Sequence, residues 1–289
     1  YMPELPEVEV VKRSLEKKIL NLIIQKVKIN DSKLRYNVNK EKIYKLKGKK
    51  IEKIYRRSKF LIFQLTGKTF MLVHLGMTGK FFFINKKKKK LKTSFYYKLD
   101  PEKDSKHDRI IFYLEKNQKL IYNDVRKFGF IKFYNQDKLN KSMHLKNLGP
   151  EPLNNGWNST YFKRYILGRE RTIKDILMDQ KFVSGIGNIY ANETLFLSSI
   201  KPSRKVNKIK DHEIEKIIKN TKKILESSIK LGGSSIKDFS NDGKKGDFQQ
   251  YFSVYGRKGE ICSNIDCNQL INKSKISNRA TFFCKFCQK

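Results

Sequence analysis

A chain of 289 residues can hold one sizeable core and a second, smaller unit, so two domains are expected. With 64 Lys and Arg against 28 Asp and Glu, the formal net charge of +36 points to a polyanionic partner, although heavy use of Lys, Asn and Ile throughout makes part of that charge compositional. A hydrophobic share of 38% excludes global disorder, and the absence of an 18-residue apolar run or a secretory-type N-terminus argues against a membrane span or export.

In chain order, Pro3-Glu4-Leu5-Pro6-Glu7-Val8-Glu9 opens a helix whose apolar positions Val8, Val11, Leu15 and Ile19 step by three and four. Pro6 suits the first turn, and Glu7 and Glu9 suit the positive end of the dipole. Short β-prone runs follow at 60–65, 70–75, 81–84, 109–114 and 130–134, separated by turn residues, which predicts a β-sandwich. Lys86 to Lys90 reads as a solvated loop. Two prolines and a glycine at 148–152 mark the domain boundary. Beyond it, helices are expected from Ser159, through Ile173–Met178, after Gly185-Ile186-Gly187-Asn188, and from Asp211 to a stop at Gly232-Gly233.

The four cysteines carry the strongest chemical signal. Cys262-x4-Cys267 and Cys284-x2-Cys287 cluster at the end of an otherwise cysteine-free chain, which suits one closed, structural Zn2+ in a reducing compartment. Arg279 lies between the pairs, on a hairpin the metal would hold; alone it would read as a surface charge. Gly185-Ile186-Gly187-Asn188 places two glycines before a helix N-terminus, either a phosphate cradle or an ordinary turn. His74-Leu75-Gly76-Met77-Thr78-Gly79 and Asp124-Val125-Arg126-Lys127-Phe128-Gly129 each follow an apolar strand. Met77 and Phe128 read as core and Arg126 as a solvated charge, or the three enter a duplex in place of an extruded nucleotide. No Ser-His-Asp or Cys-His constellation is visible.

Taken together, the Pro3 to Glu9 segment, Lys59, His74 to Gly79, Lys106-His107-Asp108, Asp124 to Gly129, Gly185 to Glu193, Gly232 to Phe239 and the cysteine hairpin resemble bacterial formamidopyrimidine-DNA glycosylase from end to end. The resemblance implies an α+β fold: a catalytic β-sandwich over 3–147, a linker at 148–156, a helix–two-turn–helix domain with a lesion-recognition loop over 157–250, and a zinc finger over 251–289. It implies a monomeric enzyme of the bacterial cytoplasm, with no membrane partner, acting on double-stranded DNA that carries oxidised purines or abasic sites. Pro3 is then the amine that attacks the deoxyribose C1′, Glu4 the acid that opens the sugar, and Lys59 and Arg279 the donors in β- and δ-elimination. Met77, Arg126 and Phe128 map onto the intercalating set, and His74, His107, Arg126, Arg169 and Asn188 onto DNA contacts.

Three departures from the family pattern stand out. The first cysteine pair is spaced by four residues where two are usual, Arg169 stands where a lysine is usual and is followed by Glu170, and Tyr1-Met2 acylate the Pro3 nitrogen. Pro3 is therefore expected to become the N-terminal residue before it can act. The nearest rival, a pyrimidine-directed endonuclease VIII type, is disfavoured by Leu5 and by the Met77, Arg126, Phe128 set. A non-catalytic zinc-ribbon binder would explain charge and cysteines but not the acidic, proline-led start.

Overall fold

The computed structural model describes residues 2–85, 90–92, 105–234 and 248–289. Tyr1, most of the lysine run and most of the 232–246 loop lie outside the described residues. The described residues of 1–146 and 232–246 form one compact unit, and those of 147–231 and 247–289 another.

The first unit runs α1 (Leu5–Ile19), β1 (Ile24–Ile29), α2 (Lys40–Tyr44), β2 (Ile51–Arg57), β3 (Phe60–Leu65), β4 (Thr69–His74), β5 (Gly79–Ile84), β6 (Lys90–Lys92), β7 (Asp108–Leu114), β8 (Gln118–Asp124), β9 (Phe130–Asn135) and α3 (Gln136–Leu139). Two antiparallel sheets result, β1-β7-β8-β5-β6 and β2-β3-β4-β9. Their inner faces share one core, to which the first contributes Phe81, Phe112 and Tyr122 and the second Ile54, Phe63 and Val73. The rings of Phe63 and Phe81, 5.9 Å apart, span the two layers. α1 closes the core with Val8, Val11, Leu15 and Ile19, the residues its periodicity singled out.

β1 and β2 escaped the sequence reading for a physical reason. Each carries a bulge, between Ile24 and Lys26 and between Ile51 and Lys53, so the buried residues fall at Ile24 and Val27, and at Ile51 and Ile54. A spacing of three hides the two-residue period of a strand.

The second unit contains α4 (Ser159–Ile166), α5 (Ile173–Met178), α6 (Asn188–Leu197), α7 (Asp211–Lys230) and a hairpin of β10 (Asn272–Ile276) and β11 (Arg279–Phe283). Asn158 and Thr172 cap α4 and α5 with side-chain oxygens. Every residue of α6 from Ile189 to Phe196 is buried, as expected of a helix at the centre of a unit. Within it, Glu193 accepts the backbone N–H groups of Ser253, Val254 and Tyr255 at 2.8, 3.0 and 2.7 Å. Asn192 accepts that of Phe282 at 2.9 Å, and Lys174 of α5 donates to the Ala280 carbonyl and Thr281 Oγ1 at 3.0 and 2.7 Å. Three polar side chains thus bolt the cysteine region and hairpin to the helices. Residues 148–156 are packed within this unit: Gly149 donates to Gln180, and Ser184 donates to Pro150 through both N–H and Oγ.

Candidate active site and nucleic-acid interface

The proline-led start is buried. Pro3 and Glu4 sit at the N-terminus of α1, with Glu4 at its N-cap and 3% exposed. Glu7, fully buried, uses one carboxylate oxygen to accept the Glu4 N–H at 2.9 Å and the other to accept the Ser234 N–H and Oγ, both at 2.9 Å. The sequence offered only a dipole role for Glu7; the structure makes it the tie between the helix start and the base of the 232–246 loop. Glu9 also does more than face the dipole. It pairs with Arg56 at 3.0 Å, and Arg56 donates to the Ser58 carbonyl at 3.0 Å. That chain links α1 to the two-residue turn between β2 and β3, where Ser58 takes a positive φ of 56° and Lys59 is 7% exposed.

Opposite Lys59, His74 closes β4, paired in register with Phe60 and Phe130. Its ring stacks on Phe130 with centroids 5.5 Å apart, and Nδ1 accepts the Gly76 N–H at 3.0 Å. Burial, then the charges of Lys59 and Arg35 and the neighbouring His144, pull the His74 pKa down to about 4. A neutral ring whose Nδ1 accepts must carry its proton on Nε2, where it is a donor.

Met77 comes together with Arg126 and Phe128, some fifty residues further along the chain. The Arg126 guanidinium lies 4.5 Å over the Phe128 ring and donates to Met77 Sδ at 3.2 Å. Phe128 is 45% exposed, so its reading as core fails, whereas Met77 is half-buried. His107 connects to the start of the Arg126 turn through Arg109: its Nδ1 lies 3.2 Å from the Arg109 guanidinium, whose Nε donates to the Asp124 carbonyl at 2.8 Å.

In the second unit, Arg169 is exposed, stacks 4.5 Å over Tyr165 and donates to the Tyr165 carbonyl at 2.6 Å. The neighbouring Glu170 pairs with Lys205 at 2.7 Å, so its charge is taken up there. Asn188 begins α6 after Gly187 at the N-cap and donates to the Ala280 carbonyl at 3.0 Å. Arg279 is exposed at the hairpin end, next to Ser277 and Asn278, whose φ values of 48° and 58° are those a two-residue primed turn requires.

All four cysteine sulfurs lie within 4.8 Å of one another, with Cys262 to Cys287 at 3.8 Å and Cys267 to Cys284 at 3.7 Å. No disulfide joins them. The four-residue spacing of the first pair therefore does not prevent convergence. Burial pushes the Cys262 thiol up to about 12, so a cation is what would hold it as a thiolate. The set can hold a metal ion and leaves no position open for chemistry.

A lysine-lined cleft of about 640 Å3, with Lys42, Lys45, Lys49, Lys68 and Lys138 around Phe133, contains none of the expected site residues. It lies at the Leu65–Thr69 end of the β3–β4 hairpin, away from Lys59 and His74. Of the buried charges, sequence reasoning gave Glu7 only a dipole role, placed Asp124 and Glu193 inside resembling segments without a role of their own, and missed Lys174. No helix among the described residues is long and apolar enough to cross a membrane.

Residues 2–131 match the formamidopyrimidine-DNA glycosylase N-terminal domain, and residues 148–240 match the formamidopyrimidine-DNA glycosylase H2TH domain. The formamidopyrimidine-DNA glycosylase of Rickettsia felis is 39% identical over 288 residues, covering 99% of this chain and 98% of the relative, and that of Rickettsia bellii is 39% identical over 289 residues, covering both chains fully. Among solved structures, Lactococcus lactis Fpg in complex with DNA containing an abasic site superposes with a TM-score of 0.84 at 34% identity, covering 99% of each chain. A point mutant of the same Lactococcus lactis protein, in complex with DNA containing Fapy-dG, superposes with a TM-score of 0.85 at 34% identity, covering 99% of this chain and 100% of the other.

Proposed function

Because the chain belongs to the formamidopyrimidine-DNA glycosylase family and is a DNA-repair glycosylase and AP lyase, we propose that it excises oxidised purines, 8-oxoguanine and formamidopyrimidines, from duplex DNA and cuts the abasic strand by β,δ-elimination. In this reading 3–147 carry the chemistry, 157–250 grip the duplex beyond a 148–156 connection, and 251–289 form the zinc finger of a monomer working on cytoplasmic DNA.

The observation that carries the reading is the buried Pro3-Glu4 start held by Glu7, with Lys59 tied to the same helix through Glu9 and Arg56. As the N-terminal residue, Pro3 has a secondary amine whose lone pair attacks C1′ while Glu4 delivers the proton that opens the sugar. The resulting iminium acidifies the C2′ proton, so base loss and β-elimination share one intermediate. Lys59 and Arg279 offset phosphate charge and move protons as the two phosphates leave. Within the Met2-Pro3 amide the same lone pair is delocalised into the carbonyl and is inert. His74 through Nε2, His107, Arg126, Arg169 and Asn188 are assigned to the DNA backbone, and Met77, Arg126 and Phe128 to the space an extruded nucleotide vacates. The complex of the Lactococcus lactis mutant with Fapy-dG DNA supports the lesion class.

The metal we assign is one structural zinc on Cys262, Cys267, Cys284 and Cys287. Zn–S bonds of about 2.3 Å put tetrahedral corners about 3.8 Å apart. The observed sulfur separations of 3.7 and 3.8 Å fit that edge. When bound it supplies folding energy to the hairpin and no reaction chemistry.

Borohydride trapping on an 8-oxoguanine duplex tests the central claim. Protein beginning at Tyr1 is expected to bind without trapping, protein beginning at Pro3 to trap and nick, and the latter with Pro3→Gly to retain little activity. Efficient trapping by the form shown by mass to retain Tyr1 would move the nucleophile to another amine, Lys59 first. Faster excision of an oxidised pyrimidine than of 8-oxoguanine by the Pro3 form would overturn the lesion assignment.

A further inference from the structure

Two turns carry the projecting side chains, and the topology sets them side by side. Residues 75–78 pass from β4 in the four-stranded sheet to β5 in the five-stranded sheet, and 125–129 pass back from β8 to β9. β4 pairs with β9 and β5 with β8, with His74 opposite Phe130 and Gly79 opposite Asp124. Both turns therefore span the same two strand pairs, as neighbouring crossings of the sandwich edge.

Their main chains touch. A Cβ on Gly76 would lie 2.4 Å from the Phe128 carbonyl carbon, and one on Gly129 would lie 2.7 Å from the His74 oxygen and 1.9 Å from the Tyr122 hydroxyl. Neither position has room for a side chain. Between the turns sits Asp124, fully buried. Its Oδ1 accepts the Thr78 hydroxyl at 2.5 Å and the Lys127 N–H at 3.1 Å, and its Oδ2 accepts the Gly129 N–H at 2.9 Å and the Tyr122 hydroxyl at 3.4 Å. Thr78 completes the circuit by accepting the Arg126 N–H at 2.9 Å. One carboxylate thus collects donors from both turns, and one hydroxyl donates to it while accepting from the segment that bears Arg126 and Phe128.

We infer that Asp124, with Thr78, is a positioning residue that keys the Met77 turn and the Arg126–Phe128 turn into one preassembled wedge. The inference rests on the proposed reading that these three side chains replace an extruded nucleotide. Unstacking a base step costs a few kcal/mol, and a wedge that also had to be ordered at that moment would add its own entropy to the barrier. Interlocked turns meet that cost during folding. No other group can take the place of the carboxylate: in Asp124→Asn the amide presents N–H to a donor on one side, and in Thr78→Val both bonds of the hydroxyl disappear.

Single-turnover excision from an 8-oxoguanine duplex, set against β-elimination at an abasic site in a single-stranded oligonucleotide, separates positioning from general damage, because the single strand needs no wedge. Asp124→Asn and Thr78→Val are expected to slow duplex excision about tenfold or more, the worth of hydrogen bonds to a charged group, and to leave single-strand cleavage unchanged. Thr78→Ser, which keeps the hydroxyl, is expected to restore the duplex rate. Unchanged duplex excision in both variants, or equal slowing on both substrates, would overturn the inference. Phe128→Ala run alongside keeps the two ideas apart. If it slows duplex excision while Asp124→Asn does not, only the keying role falls; if Phe128→Ala has no effect, the wedge reading itself falls.

Discussion

The wedge turns and the Arg279 hairpin both push a side chain outward, yet they are anchored by different means. Met77, Arg126 and Phe128 stand on the large core shared by two sheets, under which a buried carboxylate gathers the backbone. Arg279 stands on a two-stranded ladder whose core is small: Phe196, Val254, Ile271, Phe282 and the cysteines themselves. A large apolar core lets side-chain hydrogen bonds do the final aiming, whereas a two-stranded ribbon is marginal in water and must borrow stability. The hairpin borrows it from Asn192 and Lys174, from Tyr255 of the segment that Glu193 holds and, on the proposed reading, from zinc.

Breaking the metal site should separate the two regions most sharply. Chelation, or Cys284→Ala, removes a contribution that in small zinc domains reaches about 10 kcal/mol. We expect amide exchange to accelerate through β10 and β11, DNA binding to be lost, and β3 and β4 to stay protected. Wild-type binding by Cys284→Ala would sink the coupling of metal to function.

Salt sharpens the contrast between a charged and an apolar projection. If about six phosphates are neutralised, log K should fall against log salt with a slope of roughly −5, and Arg279→Ala should reduce that slope by about one. Phe128→Ala should leave the slope alone while weakening lesion binding. A flat salt response of the intact protein would contradict a phosphate-based grip.

Acid should act on the wedge side by a smaller amount. His74 is neutral in the folded chain, with its pKa lowered from 6.5 to about 4 by burial and by Lys59, Arg35 and His144. Between those values the unfolded chain binds a proton that the folded chain refuses, so stability is intact above pH 6.5 and declines as pH falls toward 4. At pH 5 the loss attributable to His74 is about 2 kcal/mol. Thermal melts from pH 7 to pH 5 check this. His74→Gln should flatten the decline, and an identical pH profile in that variant would assign the decline elsewhere.

How far these regions were legible in the sequence follows from what periodicity can register. α1 and α7 announce themselves, since Val8, Val11, Leu15 and Ile19 and then Ile214, Ile217, Ile218, Thr221, Ile224 and Leu225 repeat with the helix, and all but the half-buried Ile218 are buried. The cysteine pairs were legible because four thiols in a short segment have few other uses, and their convergence follows. The joining of Met77 to Arg126 and Phe128 stood in the sequence only as an alternative to core and solvated-charge readings and was assigned through resemblance, since it depends on which strands pair. Least visible were the buried charges. The donors of Glu193 lie at 253–255 and the acceptors of Lys174 at 280–281, so a charge that looks solvated in sequence is satisfied by residues far along the chain.

The Arg279 hairpin carries a last consequence, one of direction. Ile276 faces Arg279 directly across a two-residue loop, and side chains alternate along β11, which places Arg279 on the same side of the ribbon as the buried Thr281. Shifting the pairing by one residue would turn Arg279 to the opposite side only by turning Thr281 away from Lys174 and Phe282 out of the core as well, so a residue added between Ile276 and Arg279 is taken up in the loop as long as those anchors hold. The direction in which Arg279 projects is therefore fixed from the far end of the strand, by Lys174, Asn192 and the packing of Phe282, and not by the turn residues beside it, which need only tolerate positive φ.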